Sequence, residues 1–117
     1  MQILVNTADK LMGSTELTRR VNDTVSDALD RFGAQVTRVE VHFGDENSDK
    51  PGENDKRCVI EAHLAGHPPN TVRHLASSVE EALNGAVHKL ERTIGTTLDR
   101  AKDHNDRSSI RKGGTED

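Results

Sequence analysis

Three cations, Lys89, Arg92 and Arg100, fall in a stretch whose apolar residues recur at Val79, Leu83, Ala86, Val87, Leu90, Ile94 and Leu98. That apolar spacing is helical, and it places the cations on a neighbouring stripe of the same helix. A helix of this kind buries one side and offers positive charge on another, which suits phosphate groups. On composition alone, the ordinary role of such a stripe is a solvated helix face. Arg19 and Arg20 form a second cationic pair and Lys56 and Arg57 a third. Asp23 lies four residues beyond Arg19, and an acidic segment precedes Lys56, so each of these pairs also has a simple solubility or charge-balancing role.

Other chemistries find weaker support. His42, His63 and His74 sit on strand-like runs that could be neighbours, with Cys58 near them in sequence. Strand parity nevertheless puts Cys58 and His63 on opposite faces, and no pair has the spacing of a helical or knuckle metal site. The acids Asp45, Asp49, Glu53 and Asp55 share only acidity with a calcium loop, since the glycine and final glutamate are misplaced. No nucleophile, base and acid set and no phosphate loop is present. The expectation is a non-enzyme with no cofactor and no metal.

The elements that must position these residues belong to one small domain. The chain has 117 residues, with 32% hydrophobic and only Phe32 and Phe43 as aromatics, so its core must be aliphatic. No run of about 18 apolar residues suggests a membrane span, and the start Met1-Gln2-Ile3-Leu4-Val5 lacks the basic flank of a signal peptide. Cys58 is the single cysteine, which excludes an internal disulfide and agrees with a reducing compartment. A cytoplasmic location is expected. The net charge of −4 gives no general attraction to phosphate, but from Asp45 to Lys56 five acids face only two lysines. The rest of the chain is then nearly neutral and leaves room for a local basic patch.

Gln2 to Asn6 reads as a first strand. Ser14 can cap a helix with Glu16 in its first turn and Leu17, Val21, Val25, Ala28, Leu29 and Phe32 on one face, stopped by Gly33. Its charges Arg19 with Asp23 and Asp27 with Arg31 are spaced to pair. Val36 to Phe43 and Arg57 to Ala65 alternate with period two. Val39, Val41 and Phe43 point inward on the first run; Cys58, Ile60, Ala62 and Leu64 share one side of the second. Gly44 to Lys56 is expected to be a long mobile loop, and Gly66 to Asn70 a stiffer turn before a last strand from Thr71 to Ala76. Gly85 is best explained by close packing of helix on sheet, and Gly95 by fraying. The predicted fold is α+β in the order β-α-β-β-β-α: a four-stranded, antiparallel-containing sheet with two helices on one face. Residues 1–101 form the domain and 102–117 a polar, disordered tail.

The stretches Thr37-Arg38-Val39-Glu40-Val41-His42-Phe43, Lys56-Arg57-Cys58-Val59-Ile60-Glu61-Ala62 and Val79-Glu80-Glu81-Ala82-Leu83, leading into His88-Lys89-Leu90-Glu91-Arg92, resemble one family. It comprises the short ribosome hibernation factors and ribosome-associated translation inhibitors, also called sigma-54 modulation proteins. The resemblance spans Met1 to about Arg100. It implies a fold like the double-stranded RNA-binding domain and docking on the small ribosomal subunit, where the channel for messenger and transfer RNA is blocked. Lys89 and Arg92 match the family's Lys-Leu-x-Arg signature and Arg100 a later basic position, which implies rRNA contact there; Arg19, Arg20, Lys56 and Arg57 are further candidates.

The chain departs from that pattern at places that bear on binding. Thr24, Asp27, Thr96 and Leu98 stand where close relatives carry lysines, and Ser78-Val79-Glu80 replaces Asp-Met-Tyr. The electrostatic anchor is thinner. The dimerisation domain of the family's long form is not expected, so pairing of ribosomes would require a second hibernation factor. Two alternatives stay open: a diverged member that binds a protein through its sheet or acidic loop, and a small metal-dependent enzyme using the strand histidines.

Overall fold

A computed structural model of the chain describes the backbone of residues 1–7, 14–45 and 56–110, and the side chains of 1–7, 15–45 and 56–101. Strand β1 (Gln2–Thr7) leads to helix α1 (Ser14–Leu29), a 3₁₀ segment (Asp30–Gln35), strands β2 (Val36–Asp45), β3 (Lys56–Leu64) and β4 (Asn70–Ala76), and helix α2 (Val79–Ile110). The sheet order is β1-β2-β3-β4. The strands joined directly along the chain, β2 with β3 and β3 with β4, pair antiparallel, whereas β1 pairs parallel to β2 because a helix carries the chain back to the same end. The predicted β-α-β-β-β-α order is the observed one.

Period-two alternation decides which face is dry. Val39, Val41 and Phe43 on β2, and Cys58, Ile60, Ala62 and Leu64 on β3, are buried, and so are Val72 and Ala76 on β4. Against them lie Leu17, Val21, Val25 and Leu29 of α1 and Ala82, Leu83, Ala86, Leu90 and Ile94 of α2, all buried. One aliphatic core therefore joins two helices to a single sheet face, which accounts for the helical and strand periodicities being in phase.

Four boundaries differ from the sequence expectation. Helix α1 ends at Leu29, and Phe32 belongs to the 3₁₀ segment; the reversal comes at Gly33, whose φ of 60° favours glycine. Gly44, Asp45 and Lys56 are ladder residues, with Gly44 opposite Arg57 and Asp45 opposite Lys56. The acidic loop between them, residues 46–55, lies outside the described residues. Helix α2 runs past Leu98 to Ile110, with no proline or glycine between Gly95 and Ile110 to stop it, so polar composition alone does not end the helix at Lys102. Residues 111–117 lie outside the described part.

Gly85 faces the ring of His74: a Cβ at that position would come within 2.1 Å of it. The glycine is there to let the helix approach β4. Gly95 is different, because nothing lies within 4 Å of a Cβ built on it. It opens the helix surface without interrupting the helix.

Candidate nucleic-acid interface

Helix α2 starts from a side-chain cap that the sequence analysis did not identify. Ser78 Oγ accepts the backbone N–H of Glu81 at 3.1 Å, and Ser77 Oγ donates to Glu81 Oε1 at 2.8 Å. Glu80 and Glu81 place negative charge at the positive end of the helix dipole. The capped end and the buried seam of Leu83, Ala86, Leu90 and Ile94 fix the helix in rotation. That rotation determines where Lys89, Arg92 and Arg100 emerge.

They emerge beside β4. An open groove of roughly 590 Å³ between β4 and α2 is lined by Arg73, Lys89, Arg92 and Arg100, with Thr93, Thr96 and Thr97 between the cations. Among the described residues that line it, none is a carboxylate. Lys89 Nζ donates to the Arg73 carbonyl at 2.8 Å, which ties the helix to a strand at the sheet's edge. Thr97 Oγ1 donates to Asn70 Oδ1 at 3.4 Å near the start of the same strand. Four cations and three hydroxyls in one concave strip form a surface suited to phosphate oxygens.

Arg73 was not among the sequence candidates. Its signal was present, since Thr71, Arg73 and Leu75 are the exposed alternates of β4. What sequence alone withheld was that β4 is the strand lying beside the α2 ridge.

The other candidate cations are elsewhere. Arg19 and Arg20 line a separate groove on α1 together with Glu16 and Asp23. Arg20 crosses to Glu80 of α2 at 2.5 Å. The pairs anticipated within α1, Arg19 with Asp23 and Asp27 with Arg31, do not close to ion pairs among the described residues; the observed pair links the two helices instead. Lys56 Nζ is 3.3 Å from Asp45 Oδ2, with both side chains mostly covered, and the Arg57 guanidinium lies over Gly44. These two residues serve the end of the β2–β3 ladder.

The three strand histidines do not form one set. His42 and His63 project from the open sheet face, whereas His74 is on the helix-covered face against Gly85. On the open face Glu40 is the hub: Arg38 contacts it, His42 Nε2 is 3.5 Å and His63 Nε2 4.0 Å away, and His63 is 3.6 Å from Glu61. A three-histidine metal site is thereby ruled out by sheet parity. Cys58 is buried on the inner face, and burial pushes its thiol up to about 12.

The protein is thus a four-stranded α+β domain with two helices on one sheet face and a cation-lined groove beside the second. It belongs to the family described as sigma 54 modulation protein / S30EA ribosomal protein, whose model matches residues 6–102. This is the family that the Lys89-Leu90-Glu91-Arg92 signature resembled. Two solved structures share the fold. A ribosomal subunit interface protein from Coxiella burnetii is 13% identical with a TM-score of 0.62, over 85% of this chain and 99% of that one. The N-terminal domain of Protein Y from Thermus thermophilus is 19% identical with a TM-score of 0.61, over 80% of this chain and 96% of that one. At such identities the likeness is one of fold. No curated protein matches the chain. Among the described residues, no helix is long and apolar enough to cross a membrane.

Proposed function

We propose that this protein is a ribosome-associated hibernation factor and translation inhibitor. It binds the small ribosomal subunit through rRNA phosphates and occupies the path of messenger and transfer RNA. The work is steric, and no covalent step is involved. The observation that carries this reading is the groove lined by Arg73, Lys89, Arg92 and Arg100, with no carboxylate among the described residues that line it, on a chain whose net charge is −4. A family of ribosomal description and a structural neighbour described as a subunit interface protein support it.

The net negative charge gives the chain little long-range steering toward RNA, so attachment depends on short-range phosphate contacts in the groove. Four such contacts imply that log affinity falls with log salt with a slope of about −3. The test is co-sedimentation with small subunits across a salt series. K89E combined with R92E is expected to lower affinity on the order of tenfold or more near 0.15 M salt and to roughly halve the slope. Unchanged sedimentation with an unchanged slope would remove the groove as the anchor.

A further inference from the structure

Helix α2 has a second groove on its other flank, and its chemistry differs from the first. This groove, of roughly 480 Å³, lies between α2 and the 3₁₀ segment. Arg31 and Phe32 line one wall, with the guanidinium carbon 4.6 Å from the ring centroid. Glu91, Arg92, Gly95, Thr96 and Asp99 of α2 line the rest. Arg92 and Thr96 also line the first groove, so the two meet across the helix at those residues. Next to Thr96, a Cβ built at Gly95 would meet nothing within 4 Å, so the helix surface is open at that point.

Charge distinguishes the two. Among the described residues, the first groove is lined by four cations and no carboxylate, whereas this one is lined by two arginines and two carboxylates. A matched groove has no net attraction for phosphate. What it offers is a polarised surface, an arginine guanidinium over an aromatic ring, with two carboxylates among the α2 residues of the same groove. That set is complementary to a neutral planar group carrying N–H donors. We infer that the Arg31–Phe32 groove holds an unstacked, amino-bearing nucleobase of a single RNA strand whose phosphates lie in the Arg73–Lys89–Arg92–Arg100 groove. The inference rests on the phosphate-binding reading of that first groove and extends it. The base stacks on the outer face of the Arg31 guanidinium, and its exocyclic amino group donates to Glu91 or Asp99. The strand crosses α2 over Gly95 and Thr96, beside the Arg92 side chain that lines both grooves. An A-form duplex keeps its bases paired and stacked and cannot deliver one into the groove.

The experiment measures binding of the full chain to short fluorescent oligonucleotides of adenosine, cytidine or uridine and to an RNA hairpin, over a salt series. Two charge-conserving variants probe the second groove. Phe32→Leu keeps the aliphatic packing but loses the ring, and Arg31→Lys keeps the charge but loses the plane. Each is expected to weaken oligo-A and oligo-C binding about tenfold, to change oligo-U binding little, and to leave the salt slope intact. Glu91→Gln combined with Asp99→Asn should narrow the preference for amino-bearing bases over uracil. K89E/R92E should instead lower the slope for every oligonucleotide. If K89E/R92E lowers the slope while Phe32→Leu and Arg31→Lys bind like the parent, the second-groove inference is overturned and the phosphate groove stands. A parent chain that prefers the hairpin, or binds no oligonucleotide, also overturns the inference, whereas failure of the phosphate groove itself is read separately from ribosome sedimentation.

Discussion

The two long stripes of α2 have opposite physics. On the seam, Leu83, Ala86, Leu90 and Ile94 are fully buried and the fit is close enough that Gly85 has no room for a methyl group. On the ridge, Lys89, Arg92 and Arg100 are exposed over an open groove. The seam fixes the helix and the ridge depends on that fixing, yet they should respond to substitution independently. Seam changes should alter stability without altering the affinity of the folded molecule. Ridge changes should do the reverse, because removing an exposed charge from a helix surface shifts stability by no more than about 0.5 kcal/mol.

The sharpest test of the seam is Gly85→Ala. An added Cβ would lie 2.1 to 2.6 Å from three atoms of the His74 ring, so the ring or the helix must move. Gly in a helix interior normally costs about 1 kcal/mol relative to Ala, which would make the substitution favourable in an open site. Overpacking of about 1 to 3 kcal/mol outweighs that gain here. Urea unfolding should therefore show Gly85→Ala destabilised, and His74→Ala in the same chain should restore most of the loss. Ribosome affinity corrected for folded fraction should stay at the parental value. A fall in corrected affinity would break the separation of seam from ridge.

Cys58 extends the comparison to pH. Its thiol is held at about 12 by burial against an ordinary value of 9.0, so the neutral form is the one that fits the folded state. The stability this gives is fully present below pH 9. Above pH 9 the unfolded chain loses the thiol proton while the folded chain keeps it, so stability falls as pH rises toward 12, by up to about 1.4 kcal/mol per pH unit. Denaturation at pH 8 and pH 10, compared between the parent and Cys58→Ala, isolates this limb. The parent should lose about 1 kcal/mol more than the variant. Equal losses would mean that the thiolate is tolerated where it sits.

What the sequence disclosed follows from which interactions are local. Periodicity located both helices and all four strands, and strand parity correctly set His63 apart from Cys58, because alternation is a property of consecutive residues. The helix-packing role of Gly85 was also legible, although its partner His74 was not. Arg73 was missed, and the ion pairs of α1 were expected within the helix, Arg19 with Asp23 and Asp27 with Arg31, rather than from Arg20 across the helix interface. Both errors concern which element lies beside which, and that depends on sheet order and helix rotation rather than on neighbours in the chain. The end of α2 was placed too early for a related reason: polar composition argues against burial, but it does not break an already nucleated helix.

Arg20 gives the smallest expected effect and the finest contrast with the ridge. Like Arg92 it is an exposed arginine on an amphipathic helix, but its guanidinium is 2.5 Å from Glu80, with side chains 42% and 55% exposed. A pair that open is screened by water and salt, so a double-mutant cycle with Arg20→Ala and Glu80→Ala should yield 0 to about 1 kcal/mol, falling in 0.5 M salt. The same residues test whether local carboxylates decide which cations reach RNA. Arg20→Glu should leave the salt slope of ribosome binding at its parental value, whereas Arg92→Glu should reduce it by about 1. A slope reduced equally by both would mean that Glu80 is exchanged for phosphate on docking, and that the contact surface wraps over α1 as well as α2.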